Sequence, residues 1–278
     1  MRTAALVCLL VVLAGCNAPA GGGSVETPAE TATPAPVPAD ETLAPGVTRE
    51  GVVSPESLAE AHTAALENES YTLIANRTER YANGTVRSGL DLRVELATDR
   101  SYASQAATTG PEGPVFLGRP PAGAGFWSNG SVYVRRLARG NSTIYNEFRP
   151  LDDGAGTWGY WVRTVPFGGE QADPTSFYTG VFRSIAIESI EQREANGTTA
   201  YRLSGGKLRQ ASFTSEFTDV RNVSLTATVT EQGVVRSLVL RFSGTTDGAT
   251  VDIEWRVRYQ NVSATTVERP PWFDRAVQ

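Results

Sequence analysis

Apolar and polar side chains alternate with a period of two along much of this chain. In residues 251–259 every second side chain is apolar and those between are charged, and residues 90–96 show a similar alternation. An Asn83-Gly84 pair separates residues 90–96 from another alternating run at 71–76. Such alternation is typical of strands with one buried and one solvated face, and Asn-Gly is a favoured hairpin turn. The pattern predicts antiparallel hairpins. The runs at residues 225–230 and 234–242 predict a further hairpin.

Two segments instead repeat apolar residues at helical spacing. The first has Ser54 as a candidate N-cap and Pro55 at the first helical position, and it ends near Asn68. The second begins in the same way with Asp173 and Pro174. Side chains that accept a hydrogen bond from the first turn, followed by proline, are typical of helix starts. The apolar stripes consist of Leu58, Ala61, His62, Ala65 and Leu66, and of Phe177, Tyr178, Val181, Phe182 and Ile185.

These elements predict a mainly β (α+β) fold. One-sided alternation favours an antiparallel sheet with a wet face and a face that must be covered. We expect one curved antiparallel sheet, a half-barrel, covered on its concave face by two short helices. Residues 52–278 are long enough for this to be a single domain.

The amino terminus has the three zones of a secretory signal. Arg2 precedes an apolar run over residues 4–14, which is too short to span a bilayer as a helix. The following Leu13-Ala14-Gly15-Cys16 resembles the lipobox of prokaryotic lipoproteins. That resemblance implies a signal peptide over 1–15, a lipid on Cys16, and a membrane anchor that holds the protein on the outer face of the cell membrane. A single Arg disfavours twin-arginine export.

The next segment, residues 16–51, is predicted to be a disordered stalk. Residues 17–50 contain six Pro, seven Ala and five Thr and no aromatic residue. Such a composition buries too little apolar surface to offset its ordering entropy. The Thr/Pro mixture would also suit O-linked sugars.

Asparagine usage indicates glycosylation. Eight of the ten Asn lie in Asn-x-Ser/Thr, whereas about two would be expected from the Ser and Thr content. The alternative is that these residue types co-occur because all favour turns. The eight sites are Asn68, Asn76, Asn83, Asn129, Asn141, Asn196, Asn222 and Asn261.

Charge and composition indicate the habitat and disfavour some partners. The chain has 25 Lys and Arg against 30 Asp and Glu, so removal of Arg2 with the leader leaves a net charge of −6. Lys207 is the only lysine. With the lipobox and the sequons, this resembles surface lipoproteins of halophilic archaea. No basic block stands out, which argues against nucleic acid as a partner. We expect a monomer.

The inventory of reactive groups argues against an enzyme and against a cofactor. His62 is the only histidine and lies on an apolar helix face, so a zinc site or a Ser-His-Asp triad lacks its residues. Cys8 falls within the leader, which leaves no cysteine for catalysis in the folded region if Cys16 is lipidated. Asp152-Asp153 before a glycine-rich run is read as a turn rather than a calcium loop. A pair of carboxylates suited to glycoside hydrolysis is not excluded by sequence.

The order of elements resembles the LolA/LppX/LprG group of carriers. The first helix leading into residues 69–73 carries the resemblance, and residues 269–273 look like those of uncharacterised haloarchaeal lipoproteins. The glycine- and proline-rich stretch 110–125 departs from that group. The resemblance implies a cavity for acyl chains between a curved sheet and its helices. The inward-facing residues expected to line it are Leu90, Leu92, Val94, Leu96, Leu238, Leu240, Trp255 and Val257.

Two functions follow as hypotheses. The first is a tethered, non-catalytic binder or carrier of a lipid or other apolar ligand. The second is a structural or interaction glycoprotein that has a solid core and presents sugars and loops to other envelope proteins. Aromatic residues concentrated between 126 and 182 fit core packing, a pocket mouth or sugar stacking.

Overall fold

The computed structural model describes residues 41–149, 154–168, 173–195, 197–210, 213 and 215–278. The predicted leader, Cys16, most of the predicted stalk, Asp152, Asp153 and Asn196 lie outside these residues. The strands are β1 Thr42–Ala44, β2 Val47–Thr48, β3 Gly51–Val52, β4 Tyr71–Tyr81, β5 Val86–Leu96, β6 Tyr102–Thr109, β7 Gly123–Ser128, β8 Tyr133–Arg139, β9 Ser142–Phe148, β10 Ile185–Ala186, β11 Ser189–Ala195, β12 Thr198–Gly205, β13 Lys207–Leu208, β14 Thr218–Thr230, β15 Val235–Thr246 and β16 Ala249–Gln260. The α-helices are α1 Pro55–Leu66, α2 Pro174–Ser184 and α3 Phe273–Ala276, and short 3-10 or π segments are Val115–Leu117, Gly154–Gly156, Tyr160–Thr164 and Val165–Phe167.

Eleven strands form one antiparallel sheet in the order β11-β12-β14-β15-β16-β4-β5-β6-β7-β8-β9. The sheet joins two runs of antiparallel strands, β4 to β9 and β11, β12, β14, β15 and β16. They meet where the last strand, β16, pairs with β4 in the register Val257↔Ala75, while β10 and β13 form a separate two-stranded sheet. Strands β9 and β11 form its two edges, so the sheet is open rather than a closed barrel.

The alternation seen in the sequence sorts the two faces of the sheet. In β16 Val251, Ile253 and Trp255 are buried, whereas Asp252 and Arg256 are exposed. The same alternation buries the apolar residues of β5 and β15 on this side. We call the side that carries Trp255 the inner face and the opposite side the outer face.

Both predicted helices start as expected. The Ser54 hydroxyl accepts a hydrogen bond from Ser57 N at 3.3 Å before α1, and Asp173 Oδ1 accepts one from Ser176 N at 3.0 Å before α2. Each cap satisfies a backbone donor that has no partner within the helix. Among the helices that the structure describes, none is long and apolar enough to cross a membrane.

The two helices lie together on the inner face. Thr63 Oγ1 of α1 and Thr175 Oγ1 of α2 are 2.7 Å apart, which links the helices to each other. Phe177 of α2 packs on Trp255 of β16 with ring centroids 4.6 Å apart. The predicted fold class is therefore confirmed: the protein is mainly β, with one large antiparallel sheet and two short helices on its inner face.

Residues 41–51 differ from the prediction of a disordered stalk. They contain β1, β2 and the first residue of β3, Gly51, and both Ala44 and Val47 are buried in the core. Gly46 makes this possible because it adopts φ +73° and its carbonyl accepts hydrogen bonds from Val53 N and Ser54 N, at 2.9 and 3.1 Å. A Pro/Ala-rich composition does not exclude burial once another surface covers the apolar side chains, and the disordered stalk stays a prediction for the residues before these.

Gly46 should be intolerant of a side chain. A Cβ at this position would lie 2.1 Å from the Ser54 carbonyl oxygen, and the positive φ adds strain. We expect Gly46→Ala to lower the free energy of unfolding by about 2–4 kcal/mol, measured by chemical denaturation. Gly84→Ala is the matched control, since Gly84 has φ +82° but open space around it, and should cost about 1–2 kcal/mol. Equal losses would show that the Ser54 contact is relieved.

Candidate functional site

The inner face of β4 changes character along the strand. Leu73 and Ala75 are buried beneath the helices, but the next two inward positions are Arg77 and Glu79. Arg77 pairs with Leu90 of β5 in the strand register, so charged and apolar side chains meet there. The inner face is therefore apolar at one end of β4 and charged at the other.

A cavity of about 470 Å³ lies at this change of character. The sheet contributes Arg77, Glu79, Arg87, Ser88 and Leu90, and Glu216 lies at its edge. The apolar lining includes Leu90, Val115, Phe116, Tyr160, Val165 and Pro166. An apolar hollow with a few polar groups at one side is the usual form of a small-molecule site. We call this hollow the inner cavity.

The wall opposite the sheet is held in place by aromatic side chains. Trp161 is fully buried, its Nε1 donates to the Ala155 carbonyl oxygen at 3.0 Å, and its ring lies 4.3 Å from the Phe126 ring. Trp255 Nε1 donates to the Pro166 carbonyl oxygen at 3.2 Å. These contacts fix the segment from Tyr160 to Phe167 above the sheet and leave the inner cavity between the two.

A network of ion pairs forms the polar side of the inner cavity. Glu79 is 3 % exposed, and its two carboxylate oxygens lie 3.0 Å from Arg77 Nη2 and 2.6 Å from Arg87 Nη1. Arg87 Nη2 also pairs with Asp247 at 2.5 Å, and Arg77 Nη2 pairs with Glu216. Burial lowers the pKa of Arg87, but the hydrogen bond and charge of Glu79 outweigh burial and raise it. Buried charges persist only when paired in this way.

Arg77 also contacts the aromatic surface beside the cavity. Its guanidinium carbon lies 5.1 Å from the Trp255 ring centroid and 5.8 Å from that of Phe217. Its Nε is buried and has no hydrogen-bond partner among the described residues. Arg77 is thus positioned by its neighbours while one of its donors stays unsatisfied.

The eight residues predicted to line a ligand pocket are all buried on the inner face. Leu90 lines the inner cavity, and Leu92 borders a different hollow described below. The others pack in the core and line neither of these two hollows; they are Val94, Leu96, Leu238, Leu240, Trp255 and Val257. Sequence reasoning did not anticipate Arg77, Glu79 or Arg87. Arg77 and Glu79 continue the inward positions of β4, which was a visible signal, whereas Arg87 lies at the register shift between β4 and β5 and breaks the alternation.

A second hollow of about 840 Å³ lies on the outer face. Its floor is made of small residues of β6 and β7, and residues 268–272 form one wall. The chain after β16 crosses the outer face here, with Phe273 packed edge-on against Trp127 at 5.2 Å and Trp272 placed over Gly125. This outer groove was not predicted, and its signal was small residues at outward strand positions.

Six of the seven described sequon asparagines are exposed. They are Asn68, Asn83, Asn129, Asn141, Asn222 and Asn261. Asn76 differs, since it is half-buried in the middle of β4 and its Nδ2 donates to Asp91 Oδ1 at 2.7 Å. Asn83 and Asn129 accept hydrogen bonds from backbone amides two residues later, as in Asx turns.

His62 is buried between the helices and the sheet. Its ring lies 4.6 Å from that of Tyr178 and 4.9 Å from that of Tyr259, and its Nδ1 accepts a hydrogen bond from Val235 N at 3.2 Å. Burial lowers the pKa of His62 to about 3, so the ring is neutral at ordinary pH. Its surroundings give it a structural role. No group of three or more metal-ligating side chains occurs among the described residues.

Comparison with known proteins gives a family match and distant structural similarities. Residues 2–276 match the model of a family of unknown function, DUF7537. No curated protein has a sequence that matches this chain.

The structural neighbours of the chain include LprF, LppX and a LolA superfamily protein. LprF from Mycobacterium bovis is 11 % identical over 78 % of this chain and 96 % of its own, with a TM-score of 0.32. The lipoprotein LppX from Mycobacterium tuberculosis is 7 % identical over 77 % and 97 %, with a TM-score of 0.30. A LolA superfamily protein from Nitrosomonas europaea is 8 % identical over 78 % and 96 %, with a TM-score of 0.26. The haloarchaeal resemblance stays a prediction.

The burial of His62 predicts a pH dependence of stability. Its pKa is about 3 in the folded protein and about 6.5 when unfolded, so protonation favours the unfolded chain. The contribution is fully present above pH 6.5 and is lost as the pH falls toward 3, by about 1.4 kcal/mol for each pH unit. The measurement is the free energy of unfolding between pH 7.5 and 4.5, compared with His62→Asn, which keeps an acceptor near Nδ1. The wild type should lose roughly 2–3 kcal/mol more than the variant, whereas parallel curves would contradict a neutral, buried His62.

Proposed function

This chain belongs to the family of unknown function DUF7537, and we propose that it is a non-catalytic protein that binds or carries a lipid or other apolar ligand in the inner cavity. The observation that carries the proposal is the inner cavity itself, about 470 Å³ in volume and lined by Leu90, Phe116, Val165 and Pro166. Ligand sites in proteins span roughly 300–1,000 Å³. Burial of an apolar chain against these side chains would supply the binding free energy.

The proposal includes a membrane tether at the amino terminus. The support is the sequence Leu13-Ala14-Gly15-Cys16 after an apolar leader, together with the Pro/Ala/Thr-rich residues that follow it. A lipid on Cys16 would hold the sheet domain on the outer face of the membrane. The exposed sequon asparagines are the proposed glycan sites, on the same outer side of the membrane.

A structural or interaction glycoprotein of the envelope is the alternative. One observation favours it: most of the residues predicted to face a ligand, such as Val94, Leu238 and Val257, are packed in the core and do not line the inner cavity. Native mass spectrometry of protein purified from its own host separates the two functions. A co-purified mass that extracts into organic solvent supports the carrier, and a bare protein mass with glycans supports the alternative.

Filling the inner cavity should abolish ligand uptake. Leu90 points to the inner face and lines the cavity, so Leu90→Trp would place a larger side chain in the space for the ligand. We expect at least a tenfold loss of affinity for a pyrene-labelled fatty acid, measured by fluorescence titration, since displaced apolar contact is worth about 25 cal/mol per Å². Ile144→Trp is the control, because Ile144 is half exposed and does not line the cavity. Unchanged binding by a folded Leu90→Trp protein would exclude this cavity as the site.

Cys16 should be required for membrane attachment. Cys16→Ser removes the sulfur that would carry the lipid, so we expect the protein to move from the membrane fraction to the soluble fraction, measured by fractionation and immunoblotting. Mass spectrometry of the amino-terminal peptide should then show no lipid. Cys8→Ser is the matched control, because Cys8 lies within the leader and its loss should leave attachment intact. Release of both variants, or of neither, would contradict the assignment of Cys16.

A further inference from the structure

The buried part of the inner cavity's charge network is not electrically balanced. Arg77, Arg87 and Glu79 have side chains that are 16 %, 11 % and 4 % exposed, which gives two positive charges and one negative charge away from water. The carboxylates that balance them, Glu216 and Asp247, are 53 % and 81 % exposed. One positive charge is thus in excess in the buried part of the network, and exposed carboxylates at the rim of the cavity compensate it: Glu216, Asp247 and Glu112, which also lines the cavity.

Arg77 is the member of this network best placed to meet a ligand. It lines the inner cavity, and the rings of Trp255 and Phe217 hold its guanidinium group. Its Nε is buried without a partner among the described residues, and its Nη2 is shared between Glu79 and Glu216. A guanidinium presents its donors as a planar fork that suits two oxygens of a carboxylate or phosphate.

The apolar wall lies next to that fork. Leu90 is the register partner of Arg77 on the neighbouring strand, and Phe116 and Val165 line the same cavity. A molecule that fills this space therefore meets an apolar surface along its length and a cation at one end. That combination matches an amphiphile rather than a purely apolar ligand.

We propose that the inner cavity binds a single-chain amphiphile whose anionic oxygen head, a carboxylate or a phosphate, pairs with Arg77. The inference rests on the proposed function and adds the chemistry of the head group. The head takes the place of the Glu216 carboxylate on Arg77, and Glu79 with Arg87 stays in place beneath it. Glu216 then acts as a competitor that occupies Arg77 when the cavity is empty.

The test compares ligands of equal chain length on the purified full chain. Hexadecanoate, hexadecyl phosphate, hexadecanol and hexadecyltrimethylammonium are titrated, and binding is followed by isothermal calorimetry. We expect one or both anionic ligands to bind at least about tenfold more tightly than hexadecanol, since hydrogen bonds to charged groups are the strong ones. The tighter of the two anions assigns the source of the head group, and the cationic ligand should bind most weakly.

Variants of Arg77 and of its partner Glu216 test the proposed pairing directly. Arg77→Gln should weaken the anionic ligands about tenfold and leave hexadecanol unchanged. Glu216→Gln should strengthen the anionic ligands, because the competitor loses its charge. Arg80→Gln is the control, since Arg80 lies on the same strand but is exposed on the outer face.

The outcomes separate this inference from the proposed function. If no ligand binds, the proposed function fails and the head-group assignment with it. If hexadecanol binds as well as the anions, the cavity binds apolar chains but the role of Arg77 is overturned. Should Arg77→Gln fail to fold, Glu216→Gln decides, because an unchanged affinity for the anions would contradict the competition between Glu216 and a ligand.

Discussion

The structure depends on covering the apolar inner face of an open eleven-stranded sheet. In a closed barrel the strands themselves enclose the interior. This sheet ends in two separate edges, β9 and β11, so other segments of the chain must cover its inner face. The chain between these two strands supplies part of the cover, α2 and the segment from Tyr160 to Phe167, and α1 supplies another part. Because these helical pieces are short, they cover the sheet unevenly, and the inner cavity lies where the cover and the sheet separate.

The chemistry of that cavity follows from one change along β4. Its inward positions run from Leu73 and Ala75 to Arg77 and Glu79, so the strand passes from the packed core into a charged region. Isolated buried charges would be unfavourable, and Glu79 is stabilised because it accepts from two arginines. The result is an apolar hollow with a fixed cation at one side, which is the basis for proposing an amphiphile rather than a hydrocarbon alone as its ligand.

Both ends of the described chain contribute to packing rather than extending from it. Residues 42–52 form a small three-stranded sheet whose Ala44 and Val47 join the core, and the Gly46 carbonyl ties this sheet to the start of α1. At the other end Phe273 covers Trp127 on the outer face. The inner face is packed separately, where His62 of α1 lies against the rings of Tyr178 and Tyr259.

The sequence by itself determined the local elements: the period of two predicted β4, β5, β14, β15 and β16, the Ser54 and Asp173 caps predicted both helices, and one-sided alternation predicted the open antiparallel sheet. Alternation and helix capping depend only on residues that are neighbours in sequence, so they can be recognised without the fold. Only the tertiary structure decided which inward residues line a cavity and which fill the core. Arg87 meets Asp247 and Arg77 meets Glu216 across 160 and 139 residues of chain, and no local pattern encodes such pairs. Packing also decided that residues 42–52 are ordered, since their burial depends on surfaces that distant segments provide.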